Sequence, residues 1–287
     1  MKKIVIGYIF NEANLEKDEK FFLKAARKKN VDLVMINTAK DLKEEGEGFK
    51  EKIKKCDIFF NNSAEDFSLE IVKTIEELGK KVIESSKKFY YDEDKWMFFL
   101  KCKEHKIPTV RTILLSQNQN IIKKELGSFN EWPVILKRVE GTNGEYVDKA
   151  DNFGEAENII NKFWKKGSNR LPIIAQEFIR SLSYRVTIIG NKIVQTAIKV
   201  SKGWKATGCY IKDKNVKKFQ VDKKLKKIVD KINKVFGMKI YGIDLFKKDG
   251  KWLVLEINSA PGLDFFAKEE EKLVEEILDF LKKEARR

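Results

Sequence analysis

Asp244, Glu256 and Asn258 lie in YGIDLFKKDGKWLVLEINSAPG, Tyr241 to Gly262, a stretch otherwise dominated by apolar and turn-forming residues. Carboxylate and amide oxygens are the ligands that hard divalent cations take. Asp249-Gly250, between two runs rich in Ile, Leu, Val, Trp and Tyr, predicts a hairpin with strands over Ile240–Phe246 and Lys251–Asn258. Glu256 and Asn258 are two apart and leave the strand on one face, with Leu253, Leu255 and Ile257 forming an apolar face opposite. On an edge hairpin, alternating polar residues ordinarily mean only a solvated face. A three-residue loop, Lys248 to Gly250 with Gly250 left-handed, pairs Lys247 with Lys251, Asp244 with Val254 and Gly242 with Glu256. Asp244 is then diagonal to Glu256 on one face, about 7 to 8 Å away at the backbone. Gly242 leaves a notch through which phosphate oxygens could enter. A loop of two or four residues sends Asp244 to the opposite face.

A second unusual hairpin lies upstream, in WPVILKRVEGTNGEYV, Trp132 to Val147. Lys137 sits there in a strand of Val, Ile and Leu, before a loop containing Gly141 and Gly144. Such a loop offers backbone N–H groups, and the lysine a charge, to phosphate oxygens. No GK[ST] opens a helix, so this is not a Walker A loop. By itself the segment is a turn with a surface lysine.

Together these segments resemble the ATP-grasp superfamily, and within it the RimK-type amino-acid ligases, which join glutamate or related amino acids to a carboxylate. The resemblance spans most of the chain. Lys95 in YDEDKW is similar to the family's first phosphate-contacting lysine, at the start of a helix leading to KIPTV, Lys106 to Val110. PVILKRVEGTNG, Pro133 to Gly144, resembles the second lysine, Lys137, and its glycine loop of Gly141, Thr142, Asn143 and Gly144. IIAQEFI, Ile173 to Ile179, resembles the strand and hinge that read the adenine edge, implying nucleotide contacts at Gln176, Glu177, Phe178 and Ile179. Arg185, in YRVTIIGNKIV, matches the arginine before the next hairpin, and Asp244, Glu256 and Asn258 match the metal ligands in order. The pattern departs at Ser183, where the family usually has a ribose-binding Asp, and at Lys199, where Arg is common. It departs again at Lys205-Ala206-Thr207, in place of an Arg-Ser-Asn-like segment. These departures bear on the ribose contact and the amino-acid pocket more than on the fold.

The resemblance implies an α/β chain with α+β lobes: an ATP-grasp fold in which an open parallel α/β lobe precedes two α+β lobes that clamp ATP. It implies ATP and magnesium as cofactors, with manganese as an alternative. Lys95 and Lys137 would hold the α- and β-phosphates, with Ser183 and Lys205 completing the nucleotide site. Asp244, Glu256 and Asn258 would hold metal. Arg185 and Lys199 would be the catalytic cations, gripping carboxylates or a tetrahedral intermediate. Ser259 and Gly262 of SAPG would line the acceptor pocket. The implied partners are an amino acid and an acidic, carboxylate-bearing coenzyme, peptide or carrier protein. An ATP-grasp kinase and a non-catalytic, basic polyanion-binding protein are the competing functions.

Three regions must position these residues. Residues 1–89 alternate strand and helix: Ile4–Phe10, a helix around Glu16–Lys29, Val31–Asn37, Ile58–Asn61, a helix from Ser68 to Leu78 closed by Gly79, then Val82–Ile83. This pattern predicts an open, mostly parallel lobe, and the lack of GxGxxG argues against a dinucleotide site. Residues 90–179 hold a helix and the glycine-loop hairpin. Residues 180–287 predict an antiparallel sheet with helices over Lys223–Phe236 and Glu269–Ala285.

Composition removes rivals. The chain's 287 residues suit two or three lobes. His105 is its single histidine, so a triad or a histidine-rich zinc site has little to build on. Cys56, Cys102 and Cys209 are scattered without a CxxC, as reduced thiols of a cytoplasmic protein would be. The amino terminus enters a strand directly rather than a signal peptide, and no apolar run is long enough for a membrane. Lys and Arg total 59 against 44 Asp and Glu, a formal charge of +15, but the lysines are spread over every predicted helix. That distribution argues against nucleic acid while leaving a field that could steer an acidic substrate. A homo-oligomer is neither required nor excluded.

Overall fold

Apolar patterns of different period build three sheets. The computed structural model describes residues 3–11, 17–39, 47–63, 65–129, 131–141, 144–165, 171–200, 203–205 and 215–287. Its first sheet is parallel, with β1 (Ile4–Phe10), β2 (Val31–Asn37), β3 (Ile58–Asn61) and β4 (Val82–Ile83) in the order β2-β1-β3-β4. These strands are apolar on both faces and need cover on both. Helices α2 (Glu47–Lys55) and α3 (Asp66–Glu77) close one face through Ile53, Ile71, Val72 and Ile75. The other face receives Phe22 and Ala26 of α1 (Lys17–Lys28) and Leu273, Ile277 and Leu281 of α9 (Ala267–Ala285). The apolar stripe of α9 is core, as its spacing predicts. It serves mainly the first sheet, however, rather than the sheet nearest in sequence.

The second sheet is antiparallel, β5 (Thr112–Leu114), β8 (Ile173–Glu177), β6 (Val134–Arg138) and β7 (Val147–Ala150), in the order β5-β8-β6-β7. Helices α6 (Gln119–Gly127) and α7 (Phe153–Lys165) pack on it through Ile122, Leu126, Ile160 and Phe163. Helices α2, α6 and α7 are additional to the elements expected from the sequence. The third sheet, also antiparallel, runs β11 (Val216–Lys217), β10 (Lys192–Lys199), β9 (Ser183–Ile189), β12 (Ile240–Lys248), β13 (Lys251–Asn258). Its core side meets α5 (Lys95–Glu104) through Phe98 and Cys102, and α8 (Lys223–Phe236) through Leu225, Val229, Ile232 and Phe236. Asp222 caps α8 by accepting from the Leu225 N–H at 2.7 Å, and Gly237 ends it at φ 67°. A short helix, α4 (Ser86–Glu93), leads into α5. No described helix is long and apolar enough to cross a membrane.

Candidate active site

The β12–β13 turn is tighter than expected. Lys248 pairs with Lys251, and Asp249 and Gly250 alone make the turn, at φ 48° and 72°. Two left-handed central residues are what a type I′ hairpin turn requires. From such a turn a regular ladder would put Asp244 and Glu256 on opposite faces. A β-bulge prevents this: Leu245 pairs with Val254 and Asp244 with Glu256, leaving Leu255 as the extra residue. The side-chain alternation of β13 therefore slips by one. Trp252 and Val254 enter the core before the bulge, and Ile257 enters it afterwards. The single apolar face expected at Leu253, Leu255 and Ile257 does not exist, and Leu255 lines the cavity instead. Asp244 thus stands directly across from Glu256 rather than diagonal to it, and Gly242 faces Asn258 rather than Glu256.

Gly242 is not an open notch either. A Cβ there would lie 2.2 Å from Arg185 Nη1, so the guanidinium already fills that space. Arg185 on β9 pairs with Asp244 in the ladder and grips it from the side chain as well. Its Nε donates to Asp244 Oδ1 at 2.7 Å and its Nη2 to Oδ2 at 2.8 Å, while Lys199 Nζ donates to Oδ1 at 2.9 Å. All three side chains are buried. Burial alone would favour a neutral Asp244, but Arg185 and Lys199 outweigh it and hold the carboxyl well below the usual range. Burial likewise opposes the Arg185 charge, and Asp244, Glu256 and Asp92 together overcome it. Two cations share one carboxylate, so the group presents surplus positive charge to the cavity.

That cavity, about 660 Å³, lies between the second and third sheets. Lys95, Lys137, Gly141, Gly144, Gln176, Glu177, Phe178, Ile179, Ser183, Arg185, Lys199, Lys205, Asp244, Glu256, Asn258 and Gly262 all line it. Thr142 and Asn143, and with them Ala206, Thr207 and Cys209, lie outside the described residues. Burial pushes the Lys137 ammonium down; Glu256 opposes that shift and Lys95 adds to it. Two lysines hold the described ends of the glycine loop. Lys95 Nζ donates to Gly141 O and Lys205 Nζ to Gly144 O, each at 2.6 Å. Ile135, Ile179, Phe246 and Leu255 give the cavity apolar walls, with Ile135 paired to Gln176 in the ladder. Gln176 Nε2 is bonded to Thr112, and its buried Oε1 has no partner.

Ser259 departs from expectation. It is buried behind the cavity wall, and its N–H and hydroxyl both donate to Asp92, the former at 2.7 Å. Asp92 does line the cavity, and the sequence reading missed it. Burial raises its carboxyl to about 6, against the pull of the Ser259 hydrogen bonds. Its position three residues before Lys95, where α4 gives way to α5, was the signal available.

The donors suit a hard cation in part. Glu256 has no hydrogen-bond partner among the described residues, and the Asn258 amide is buried with Nδ2 unpaired. Asp244 is committed to Arg185 and Lys199, although Oδ2 takes only one of the three bonds. Among the described residues, no three His, Cys, Asp or Glu side chains gather as a metal site, so any site here depends on the Asn258 oxygen.

A family model, the RimK-like ATP-grasp domain, matches residues 92–281. A probable alpha-L-glutamate ligase of Legionella pneumophila (strain Corby) is 31% identical over 158 residues, covering 54% of this chain and 51% of that protein. Another, from Hydrogenovibrio crunogenus (strain DSM 25203 / XCL-2), is 27% identical over 158 residues, covering 54% and 52%. The chain thus spans about half the length of the curated relatives it matches. Among solved structures, a RimK domain ATP-grasp protein from Sphaerobacter thermophilus DSM 20745 superposes with a TM-score of 0.76 at 14% identity, covering 96% of this chain and 98% of that one. D-alanine–D-alanine ligase from Bacillus anthracis, complexed with ATP, gives 0.74 at 16% identity, covering 99% and 98%. At such identities the likeness is one of fold.

Proposed function

The chain belongs to the RimK-like ATP-grasp family, and from that premise we propose that it is an ATP-dependent carboxylate–amine ligase acting through an acylphosphate. What carries this reading is the convergence of Lys95, Lys137, Arg185 and Lys199 with Glu256 and Asn258 in one cavity. Cations fixed before reaction are what phosphoryl transfer between anions demands. ATP would lie with its base against Ile135, Ile179, Phe246 and Leu255 and its phosphates toward Lys95 and Lys137. Glu256 and Asn258, with the remaining lone pairs of Asp244, would hold magnesium or manganese. When bound, the metal supplies positive charge beside the phosphate oxygens.

A substrate carboxylate oxygen attacks the γ-phosphorus, and ADP leaves. The amine nitrogen then attacks the acyl carbon, giving up a proton, and inorganic phosphate departs as the amide forms. Arg185 and Lys199 would steady the negative charge that develops on the acyl oxygen. Residues 141–144 would exclude the water that hydrolyses an acylphosphate. Domain limits at 1–89, 90–179 and 180–287 belong to the same reading, which the residue ranges of the three sheets support, with α9 packing back on the first. Buried, unpaired Cys56 and Cys102 support a cytoplasmic setting. Glutamate, for which the similar ligases of Legionella and Hydrogenovibrio are named, is the first amino acid to try.

The test is incubation with ATP, magnesium, single amino acids and cell extract, following ADP and the mass of new products. An amide with ADP and phosphate release is expected. A stable phosphorylated product would make the protein a kinase, and salt-sensitive polyanion binding without ATP turnover would make the fold a scaffold.

A further inference from the structure

We propose that Thr112 and Gln176 make the cavity select a 6-amino purine over a 6-oxo purine, with Gln176 touching the base and Thr112 acting as its positioning residue; this deepens the ligase reading and rests on it. Ladder register puts Gln176 on the cavity face of the second sheet. It pairs with Thr112 on one side and with Ile135 on the other. Ile135 shares a face with Lys137, and both line the cavity, as Gln176 does. Val134, Leu136 and Ala175 leave their strands on the other face, into the core under α6 and α7. Only 5% of Gln176 and 4% of Thr112 are exposed.

The bonds of Thr112 decide which end of the amide is free. A hydroxyl has one proton to give, and Thr112 gives it to Val110 O at 3.0 Å. The segment before that carbonyl is held in place, since Thr109 Oγ1 donates to Val254 O at 2.8 Å and the Val254 N–H to Pro108 O at 2.9 Å. Thr112 Oγ1 is left able only to accept, and Gln176 Nε2 donates to it at 2.9 Å. A reversed amide would set two acceptors against each other at that distance. Oε1 is therefore directed away from Thr112, buried and without a partner. Buried acceptors are normally satisfied, and an unmet one is costly. Ile135 beside it is hydrocarbon, as are the other apolar walls Ile179, Phe246 and Leu255. A trapped water needs several polar partners, which those side chains do not offer. A flat apolar base whose edge carries an N–H donor suits both the walls and the oxygen. The 6-amino group of adenine is such a donor, whereas the 6-oxo group of hypoxanthine or guanine would bring a second acceptor against Oε1.

Calorimetry with ATP, inosine triphosphate and the triphosphate of unsubstituted purine riboside, each with magnesium, tests the selection. The three share sugar and phosphates and differ along the 6-position edge. ATP should bind tightest and inosine triphosphate weakest, at least about tenfold apart. Thr112→Val keeps the shape but removes the accepting oxygen, so the amide can turn to suit either base and the two should come within about twofold. Thr112→Ser, which keeps the hydroxyl, should keep the wild-type ratio. A role confined to folding would weaken all three nucleotides together and leave the ratio unmoved. If Thr112→Val does not fold, Gln176→Leu, which lacks the amide, should flatten the series in its place. Equal binding of ATP and inosine triphosphate by the wild type, or a wild-type ratio in whichever of these two variants folds, would overturn the proposal. Binding of no nucleotide sinks it together with the ligase reading. Amide formation supported equally by ATP and inosine triphosphate sinks the selection alone. The expected ratio in a protein that forms no amide sinks the ligase reading alone.

Discussion

The two hairpins that border the cavity solve opposite problems. In β12–β13 the turn is two residues of backbone far from the cavity, and the useful groups, Asp244, Glu256 and Asn258, sit along the strands. Their placement depends on register, which the type I′ turn and the Leu255 bulge fix jointly. In β6–β7 the strands carry Lys137, and the described ends of the connection, Gly141 and Gly144, line the cavity at φ 132° and 70°. There the carbonyls of those two ends accept from Lys95 and Lys205. The first hairpin is rigid by pairing.

Removing the charge at the rigid hairpin should do most damage. Asp244→Asn leaves Arg185 and Lys199 buried without their shared anion, and breaking a buried pair typically costs about 3 to 5 kcal/mol. Chemical denaturation reads this directly, and unchanged stability would deny the triad a structural role. At the other hairpin, Lys137→Ala should weaken ATP binding by about 1.5 to 3 kcal/mol with little change in unfolding. Equal ATP affinity in calorimetry would remove the lysine from the nucleotide site. Gly242→Ala tests the space behind Asp244: its Cβ must displace Arg185, an overpacking expected to cost about 1 to 3 kcal/mol in thermal unfolding. A neutral outcome would show that the guanidinium has room elsewhere.

The last effect is a slope rather than a loss. Asp92 titrates at about 6 when folded, above the ordinary carboxylate value of about 3.9. The folded state keeps a proton that the unfolded chain has released, so stability falls as pH rises through that window and levels off above it. Relative to Asp92→Asn, the wild type should therefore lose stability between about pH 4 and 6, and the two curves should run parallel above. Parallel curves throughout would place the Asp92 carboxyl in an ordinary environment.

Much of the first sheet was legible because its strands are short apolar runs between amphipathic helices; Ile4–Phe10, Val31–Asn37 and Ile58–Asn61 fall where the pattern ends them. The face of Glu256 was not. Trp252, Leu253, Val254 and Leu255 are all apolar, so alternation carries no parity there, and no residue type announces the bulge. Asp249-Gly250 did announce the turn, but left open whether Lys248 belonged to the loop or to the ladder. The occupied space at Gly242 was hidden for another reason: the Arg185 side chain that fills it belongs to a strand paired across more than fifty residues of sequence. Ser259 was placed on the wrong side of its wall because its partner, Asp92, lies on a separate helix.

The return of α9 to the first sheet sets an order of events during synthesis. Residues 4–61 can pair as strands early, but one face of that sheet meets residues 267–285, made more than two hundred residues later. Until then Ile6, Tyr8, Ile58 and Phe60 have Phe22 and Ala26 of α1 but lack the α9 part of their cover in the finished fold. A nascent chain stalled inside α8 should therefore offer that surface to chaperones, and release should come only when α9 leaves the ribosome.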